Sequence, residues 1–151
     1  MPDRLVVSDV EEMTRRRLVT AAMDALLPEL ARLLSDTPVS LVVVCTREQT
    51  MAGIVTKTDV LRKIAQNPGA VGWLRAADAM TREVVHCHPG DPLEEVLRVM
   101  GERALVHMPV VDLGTRPVGV IEARDALRAL MSHASEQVSL LRDYVMGAGY
   151  R

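Results

Sequence analysis

The sequence predicts a mixed α/β fold, α+β-like in character, in which one strand–helix–strand–strand–helix unit occurs twice and a helix follows. The first observation behind this prediction is an internal repeat. A shift of 66 residues places Gly53 on Gly119 and Asp59 on Asp125, and apolar character agrees at most core positions. The second is a change between helical and strand periodicity within each copy. The third is composition, since 48% apolar and 25% charged residues are typical of a folded chain.

The first copy contains an amphipathic helix between its strands. The apolar face of this helix consists of leucines at helical spacing, namely Leu26, Leu27, Leu30, Leu33 and Leu34. Pro28 belongs in the first turn, where its missing N–H costs little. A Gln-Asn-Pro-Gly break at residues 66–69 ends the copy, so the first unit is predicted to be residues 1–69. Trp73, just after the break, is expected to be a buried anchor of the linker.

The second unit is predicted to be residues 70–131 and to open with a short strand at 84–88. A helix should follow, with Asp91 as its N-cap, Pro92 at its first position and Glu94 completing a capping box. The remaining elements are two strands and a helix, predicted at residues 106–112, at 118–122 and from Arg124 onward.

A helical tail over residues 132–151 is expected to continue the last helix. Its apolar side chains recur at spacings of three and four, at Leu127, Leu130, Ala134, Val138, Leu141 and Val145. One small repeat is too short to cover this stripe. Two explanations stay open: the stripe faces a partner, or it packs across the protein's own body.

Composition and motifs exclude several classes of function. Aromatic residues are only 2%, which rules out a row of rings for stacking single-stranded bases, and the net charge of −2 provides no general attraction for nucleic acid. The longest apolar run, Leu41 to Cys45, is far shorter than a membrane span, and the N-terminus lacks the order of a signal peptide. Two cysteines do not make a disulfide framework, so we expect a reducing, cytoplasmic setting. No Walker A, G-x-S-x-G or G-x-G-x-x-G motif is present, and we expect no enzyme activity.

The segment Thr56-Lys57-Thr58-Asp59 lies where a strand gives way to a helix. The unpaired N–H groups and the positive dipole end of that helix favour a phosphate, to which the Thr56 hydroxyl can donate and Lys57 can add charge. The Asp59 carboxylate only accepts hydrogen bonds, so it suits the paired hydroxyls of a ribose. The same T-x-x-D spacing is also a capping box that needs no ligand. Both interpretations remain at this point.

The second copy departs from the first at this motif. It keeps Asp125, but Glu122 replaces the threonine and would repel a phosphate by about 1 kcal/mol or more at close range. Arg124 offers a compensating guanidinium. The second site is therefore empty, takes a less charged ligand or is dominated by Arg124, and we predict unequal affinities at the two sites.

The doubled unit, with Gly53 to Leu61 and Gly119 to Leu127 at its two last strand–helix junctions, resembles the CBS domain, the regulatory domain named after cystathionine β-synthase. Segments 78–81 and 107–112 also look like this family. The resemblance implies a tandem pair, or Bateman module, packed about a pseudo-twofold axis and commonly assembled as a homodimer. It implies a non-catalytic module that binds AMP, ADP or ATP, or S-adenosylmethionine, between its domains and signals to an unknown protein partner by a conformational change. Neither nucleic acid nor a membrane is expected as a partner.

The same resemblance implies roles for individual residues. Thr56 would contact phosphate and Asp59 would hold ribose. The adenine would lie against residues near the first and middle strands of each copy, which by position are Thr20, Ala21 and Val43, and His86, Cys87 and Pro109.

Three further interpretations were weighed. The first is a structural or interaction module with empty clefts. The second is a metal or redox sensor, in which His86 and His88 share one strand face, Cys87 points to the other, and His107 adds a third nitrogen ligand. The third concerns the basic run at residues 15–17, which we interpret as a solvated face, with an approach to a bound phosphate as the alternative.

Overall fold

The computed structural model describes residues 4–149, without the side chains of residue 144 and residues 146–149. The predicted ends of the first unit (1–3) and of the tail (150–151) lie outside these residues. The helices are α1 (Glu11–Arg16), α2 (Leu27–Asp36), α3 (Lys57–Gln66), α4 (Ala76–Ala79), α5 (Leu93–Glu102) and α6 (Ala123–Gly149). The strands are β1 (Thr20–Ala22), β2 (Leu41–Cys45), β3 (Met51–Thr56), β4 (His107–Val111) and β5 (Pro117–Glu122). Short 3-10 turns occupy Val7–Val10 and Val71–Trp73.

Strand pairing confirms the internal repeat. In one sheet β1 runs parallel to β2, and β2 runs antiparallel to β3; in the other, β4 and β5 form an antiparallel pair. Val44 pairs with Gly53, and 66 residues later Val110 pairs with Gly119. Each pair of strands also carries a bulge directly after that valine. The mixed fold of two small sheets with covering helices and a C-terminal helix is therefore as predicted.

Each half of the chain completes the core of the other half. The core beneath α2 contains Ala76 and Ala79 of α4, although α4 follows the chain break at 66–69. The core beneath α5 contains Val7 from the N-terminal turn. In both cases a segment that precedes one repeat packs on the opposite repeat, so the two halves are interlocked.

Two glycines at equivalent positions allow this exchange. A Cβ on Gly53 would lie 2.5 Å from the Thr81 carbonyl oxygen, and a Cβ on Gly119 would lie 2.6 Å from Thr14 Oγ1. Thr14 is buried in α1, and Thr81 forms two backbone hydrogen bonds with Ile54. The glycines of the repeated motif are therefore needed for close approach of the exchanged segments.

The middle strand β2 is buried on both faces, and its side chains alternate between two cores. Val42 and Val44 face α2, whereas Leu41, Val43 and Cys45 contact Val120 of the other half. Alternation of this kind follows from the two-residue period of a strand. The second set forms the apolar contact between the two sheets.

The prediction of a strand at 84–88 was wrong. Cys87 makes a single parallel bridge to Val110, and the residues around it have no strand pairing. The equivalent bridge in the first half, Ala21 to Val44, belongs to the short strand β1. A strand needs successive pairs, and here the backbone pairs at one residue only.

Two predictions about side-chain environment were also wrong. Asp91 does not cap α5, because its carboxylate accepts the His88 N–H at 2.8 Å and the helix has Pro92 at its N-cap without a side-chain cap bond. The Leu93 N–H instead donates to the Leu5 carbonyl, so the N-terminal segment satisfies this helix end. Trp73 is 79% exposed rather than buried, since the turn that carries it buries none of its residues.

The last predicted helix and the tail form one continuous helix, α6. Near its start Ala126, Ala129 and Leu130 pack on the core of the second half. Beyond residue 133 its described side chains are exposed, including the predicted stripe at Val138, Leu141 and Val145. Within residues 4–149, no helix is both long enough and apolar enough to cross a membrane.

Candidate functional site

A cleft of about 360 Å³ lies where the strand–helix junctions of the two repeats meet. It is lined by residues of both halves, namely Arg17, Thr37, Pro38, Val39, Ser40, Thr56, Lys57, Thr58, His107, Glu122 and Arg124. The residues at the starts of α3 and α6 thus face one space. Three lining side chains are cationic and one is a carboxylate, so the cleft favours an anion.

The first junction is a capping box, as one interpretation predicted. The Asp59 N–H donates to Thr56 Oγ1 at 3.3 Å, and Asp59 Oδ2 accepts from the Thr56 N–H at 2.9 Å and from its hydroxyl at 3.0 Å. Asp59 Oδ1 accepts from Arg62 at 3.3 Å, on the same helix. Asp59 itself is buried and is not part of the cleft wall. Contact with a ligand therefore requires an opening of its surface ion pair with Arg62.

The second junction is held by a cation from the opposite half. Arg17 Nε and Nη2 each lie 3.1 Å from Asp125 Oδ2, and Arg17 Nη1 lies 3.8 Å from Glu122 Oε1. Ser40 donates to Glu122 Oε1 at 3.0 Å, and Arg124 lies 3.9 Å from Glu122 Oε2. The predicted partner Arg124 is thus the more distant and more exposed of two guanidinium groups around Glu122.

His107 lies in the cleft wall with a buried Nδ1 that has no hydrogen-bond partner among the described residues. Burial lowers the pKa of this imidazole, and the nearby carboxylates Glu122 and Asp59 oppose that effect. Desolvation is the larger of the two influences, so the neutral ring is favoured at neutral pH. A neutral imidazole offers one donor and one acceptor to a guest in the cleft.

The residues expected around an adenine are dispersed. Thr20 and Ala21 line a separate depression of about 630 Å³, beside Cys45 and Gln49. Val43, Cys87 and Pro109 are buried, and His86 is exposed; none of these lines the cleft. The cleft therefore unites Thr56, Lys57, Glu122 and Arg124, with Asp59 and Asp125 directly behind them.

The metal interpretation finds no support in the geometry. His86 and His88 lie edge to face at 5.4 Å, with Cys87 buried behind them, as the strand alternation predicted. Their Nδ1 atoms, however, pair with the carbonyls of Val84 and Val111. Among residues 4–149, no group of three or more His, Cys, Asp or Glu side chains is placed to hold a metal ion.

Burial also governs the two cysteines, which are both free thiols. It raises the pKa of the Cys87 thiol to about 12, together with the charge of Asp91, and it raises the pKa of Cys45. A thiol with a raised pKa is a poor nucleophile and a poor metal ligand. The redox interpretation therefore lacks a reactive group at Cys87.

The sequence analysis missed most of the contributions from Arg17, Ser40 and His107 to this cleft. Arg15 and Arg16 are exposed, as expected of a solvated run, but Arg17 is only 24% exposed and turns inward. A signal for this was present, because the first copy has one residue more than the second between its aligned Met-Thr pair and its first strand. Ser40 and His107 carried no such signal.

A model of the CBS domain family matches residues 7–66 and 76–132. These two matches cover most of the chain, which therefore belongs to the CBS domain family as a CBS domain pair. A curated relative is the mitochondrial CBS domain-containing protein CBSX3 of Arabidopsis thaliana, 31% identical over 106 residues, or 68% of this chain and 50% of the relative. The chain spans between 24% and 61% of the length of the first curated relatives it matches.

Solved structures show the same fold. A CBS domain pair in complex with 5′-methylthioadenosine and S-adenosyl-L-methionine has a TM-score of 0.71 at 24% identity, covering 85% of this chain and 98% of the other. CBSX2 in complex with AMP has a TM-score of 0.71 at 20% identity, covering 84% of this chain and 96% of the other. Structural neighbours of this chain thus bind adenosine ligands.

Proposed function

We propose that this chain is a non-catalytic sensor that binds an adenine nucleotide in the cleft between its repeats. The observation that carries the proposal is the cleft itself, in which the start of α3 faces the start of α6 and cations outnumber carboxylates. The adenosine ligands of its structural neighbours support the choice of ligand class. AMP, ADP and ATP are the proposed ligands, with S-adenosylmethionine as a further candidate.

The first junction is the proposed phosphate site. The N–H groups in the first turn of α3 lack partners within the helix, and its dipole favours negative charge. Lys57 is exposed beside them, and the Thr56 hydroxyl is within reach of the same space. On this proposal the ribose hydroxyls take the place of Arg62 on Asp59 Oδ1, which costs little because Arg62 is 57% exposed.

Calorimetric titration with AMP, ADP, ATP and S-adenosylmethionine tests this function. We expect saturable binding of at least one of them by the wild-type chain and at least about tenfold weaker binding by Asp59→Asn, which corresponds to the loss of 1.4 kcal/mol or more. Asparagine keeps the shape of the cap but cannot accept from two hydroxyls with the same charge.

Asp78→Asn is the matched control for that titration. Asp78 accepts the Arg75 N–H at 2.8 Å at the start of α4, so it caps a helix as Asp59 does but does not line the cleft. Its substitution should leave affinity unchanged. Absence of binding to the wild-type chain up to millimolar ligand would instead favour a structural module with empty clefts.

We further propose that α6 presents a surface to a second copy of the chain. The exposed residues Leu127, Met131, Val138, Leu141 and Val145 follow the alternating spacing of four and three that is typical of paired helices. Light scattering after gel filtration should give a dimer, and Leu141→Glu should give a monomer. A change in the relative pose of the repeats on nucleotide binding would alter this surface and inform a protein partner.

The proposed setting is the cytoplasm. The two cysteines are buried free thiols, which agrees with a reducing compartment.

A further inference from the structure

We propose that Arg17 occupies the second ligand site from within, so that the chain binds one nucleotide rather than two. The inference rests on the proposed nucleotide function and specifies which of two equivalent sites performs it. Its starting point is the repeat, because Asp59 and Asp125 are equivalent in sequence and both lie in the first turn of a helix. A duplicated unit should offer two ribose-binding carboxylates.

The structure shows that Arg17 has no equivalent in the other half. The bridges Ala21–Val44 and Cys87–Val110 fix the shift at 66 residues, whereas the contacts of Thr14 with Gly119 and of Thr81 with Gly53 fix it at 67 further upstream. The first copy therefore has one extra residue between Thr14 and its first strand. At a shift of 66, Arg17 corresponds to Glu83, which carries the opposite charge.

The position of the guanidinium is that of a bound ligand rather than of a surface ion pair. Two of its nitrogens lie 3.1 Å from one Asp125 oxygen, the third lies 3.8 Å from Glu122, and the Arg17 side chain is 24% exposed. The carboxylates are more deeply buried, at 7% exposed for Asp125 and 13% for Glu122. Asp125 thus receives from Arg17 the hydrogen bonds that a ribose would otherwise supply.

A nucleotide at the second site would meet two obstacles. It would have to displace Arg17 from Asp125, and the displaced cation would leave two carboxylates without their partner in a partly buried position. Its phosphate would then face Glu122, which stands where the first copy has Thr56. At the first site the equivalent partner of Asp59 is Arg62, a surface residue that moves away freely.

Titration of the full chain with AMP tests the inference. We expect one AMP per wild-type chain, lost in Asp59→Asn and retained in Asp125→Asn. The double variant Arg17→Ala/Glu122→Thr frees Asp125 and restores the threonine of the first copy, so it should bind two AMP per chain. Arg15→Ala is the matched control, because Arg15 is exposed and pairs with Glu11 on its own helix at 3.6 Å; it should still bind one.

The outcomes separate this inference from the proposed function. Two AMP per wild-type chain, or one lost in Asp125→Asn, would overturn the inference and leave nucleotide binding standing. No AMP on the wild type but one on the double variant would overturn the function of the first site and support the inference. An unchanged stoichiometry in a folded double variant would overturn it. If that variant does not fold, Arg17→Gln titrated with adenosine, which has no phosphate, should gain a second site, and no gain would overturn the inference.

Discussion

The two strand–helix junctions of this chain share one backbone geometry but satisfy their acidic residues in opposite ways. At the first, Asp59 is held by Thr56 and Arg62 of its own copy. At the second, Asp125 is held by Arg17, which lies 108 residues away in sequence. A repeated scaffold thus carries one local and one long-range ion pair, and the difference shows that duplication preserves the fold more faithfully than it preserves the site.

The largest effect that we expect from this comparison concerns the two arginines. Arg17→Met should lower the free energy of unfolding by about 3 kcal/mol, because it leaves Asp125 and Glu122 without a partner in a partly buried position. Arg62→Met should lower it by less than about 1 kcal/mol, because that pair is on the surface. Urea denaturation measures both. Equal effects would show that the second junction is not held by a buried pair.

The repeated glycines should give the next largest effect. Gly53→Ala pushes a methyl group against the backbone oxygen of Thr81, and overpacking of this kind costs about 1–3 kcal/mol. Gly72→Ala is the control, since no atom lies within 4 Å of a Cβ there. Thermal unfolding followed by circular dichroism compares the variants. A tolerated Gly53→Ala would contradict the close approach of the exchanged segments.

A smaller effect concerns the pH dependence of stability through His107. Burial lowers its pKa in the folded state from the ordinary value of 6.5, so the unfolded chain binds more protons between the two pKa values. The wild type should therefore lose stability as the pH falls below about 6.5, and His107→Gln should lose less over the same interval. Denaturation curves at pH 7.5 and at lower pH measure the difference. A variant that loses as much stability as the wild type would refute the shift.

The smallest expected effect is a difference between the two thiols. The pKa of Cys87 is raised to about 12, and that of Cys45 is raised as well. In the folded chain at pH 8 both should react with a disulfide reagent far more slowly than in denaturant, and Cys87 should be the slower. Cys45→Ser and Cys87→Ser identify each rate. Rapid labelling of Cys87 in the folded chain would contradict its burial.

Local patterns predicted the elements of this fold well. The leucine face of α2, the early position of Pro28 and the Thr56–Asp59 cap follow from spacing and helix-end chemistry, and the structure confirms them. The register of the repeat, down to equivalent bulges, was also readable by shifting the sequence on itself.

Contacts between distant segments were not predictable in the same way. Asp91 has the chemistry of an N-cap, but the Leu5 carbonyl satisfies the start of α5 instead. Trp73 has the composition of a core residue, but its turn packs nothing around it. The inward turn of Arg17 depends on the partner half being in place, and a run of three arginines has no periodicity that distinguishes its last member.

The exchange of the segments that precede each repeat has a consequence for how the chain is made. When a ribosome has released only the first half, α2 and its sheet still lack Ala76 and Ala79, and Val7 has no second core to enter. Neither half is complete until most of the other has emerged. The protein should accordingly reach its native state after synthesis and in one concerted step, and a truncated product of either half should be a target for proteases.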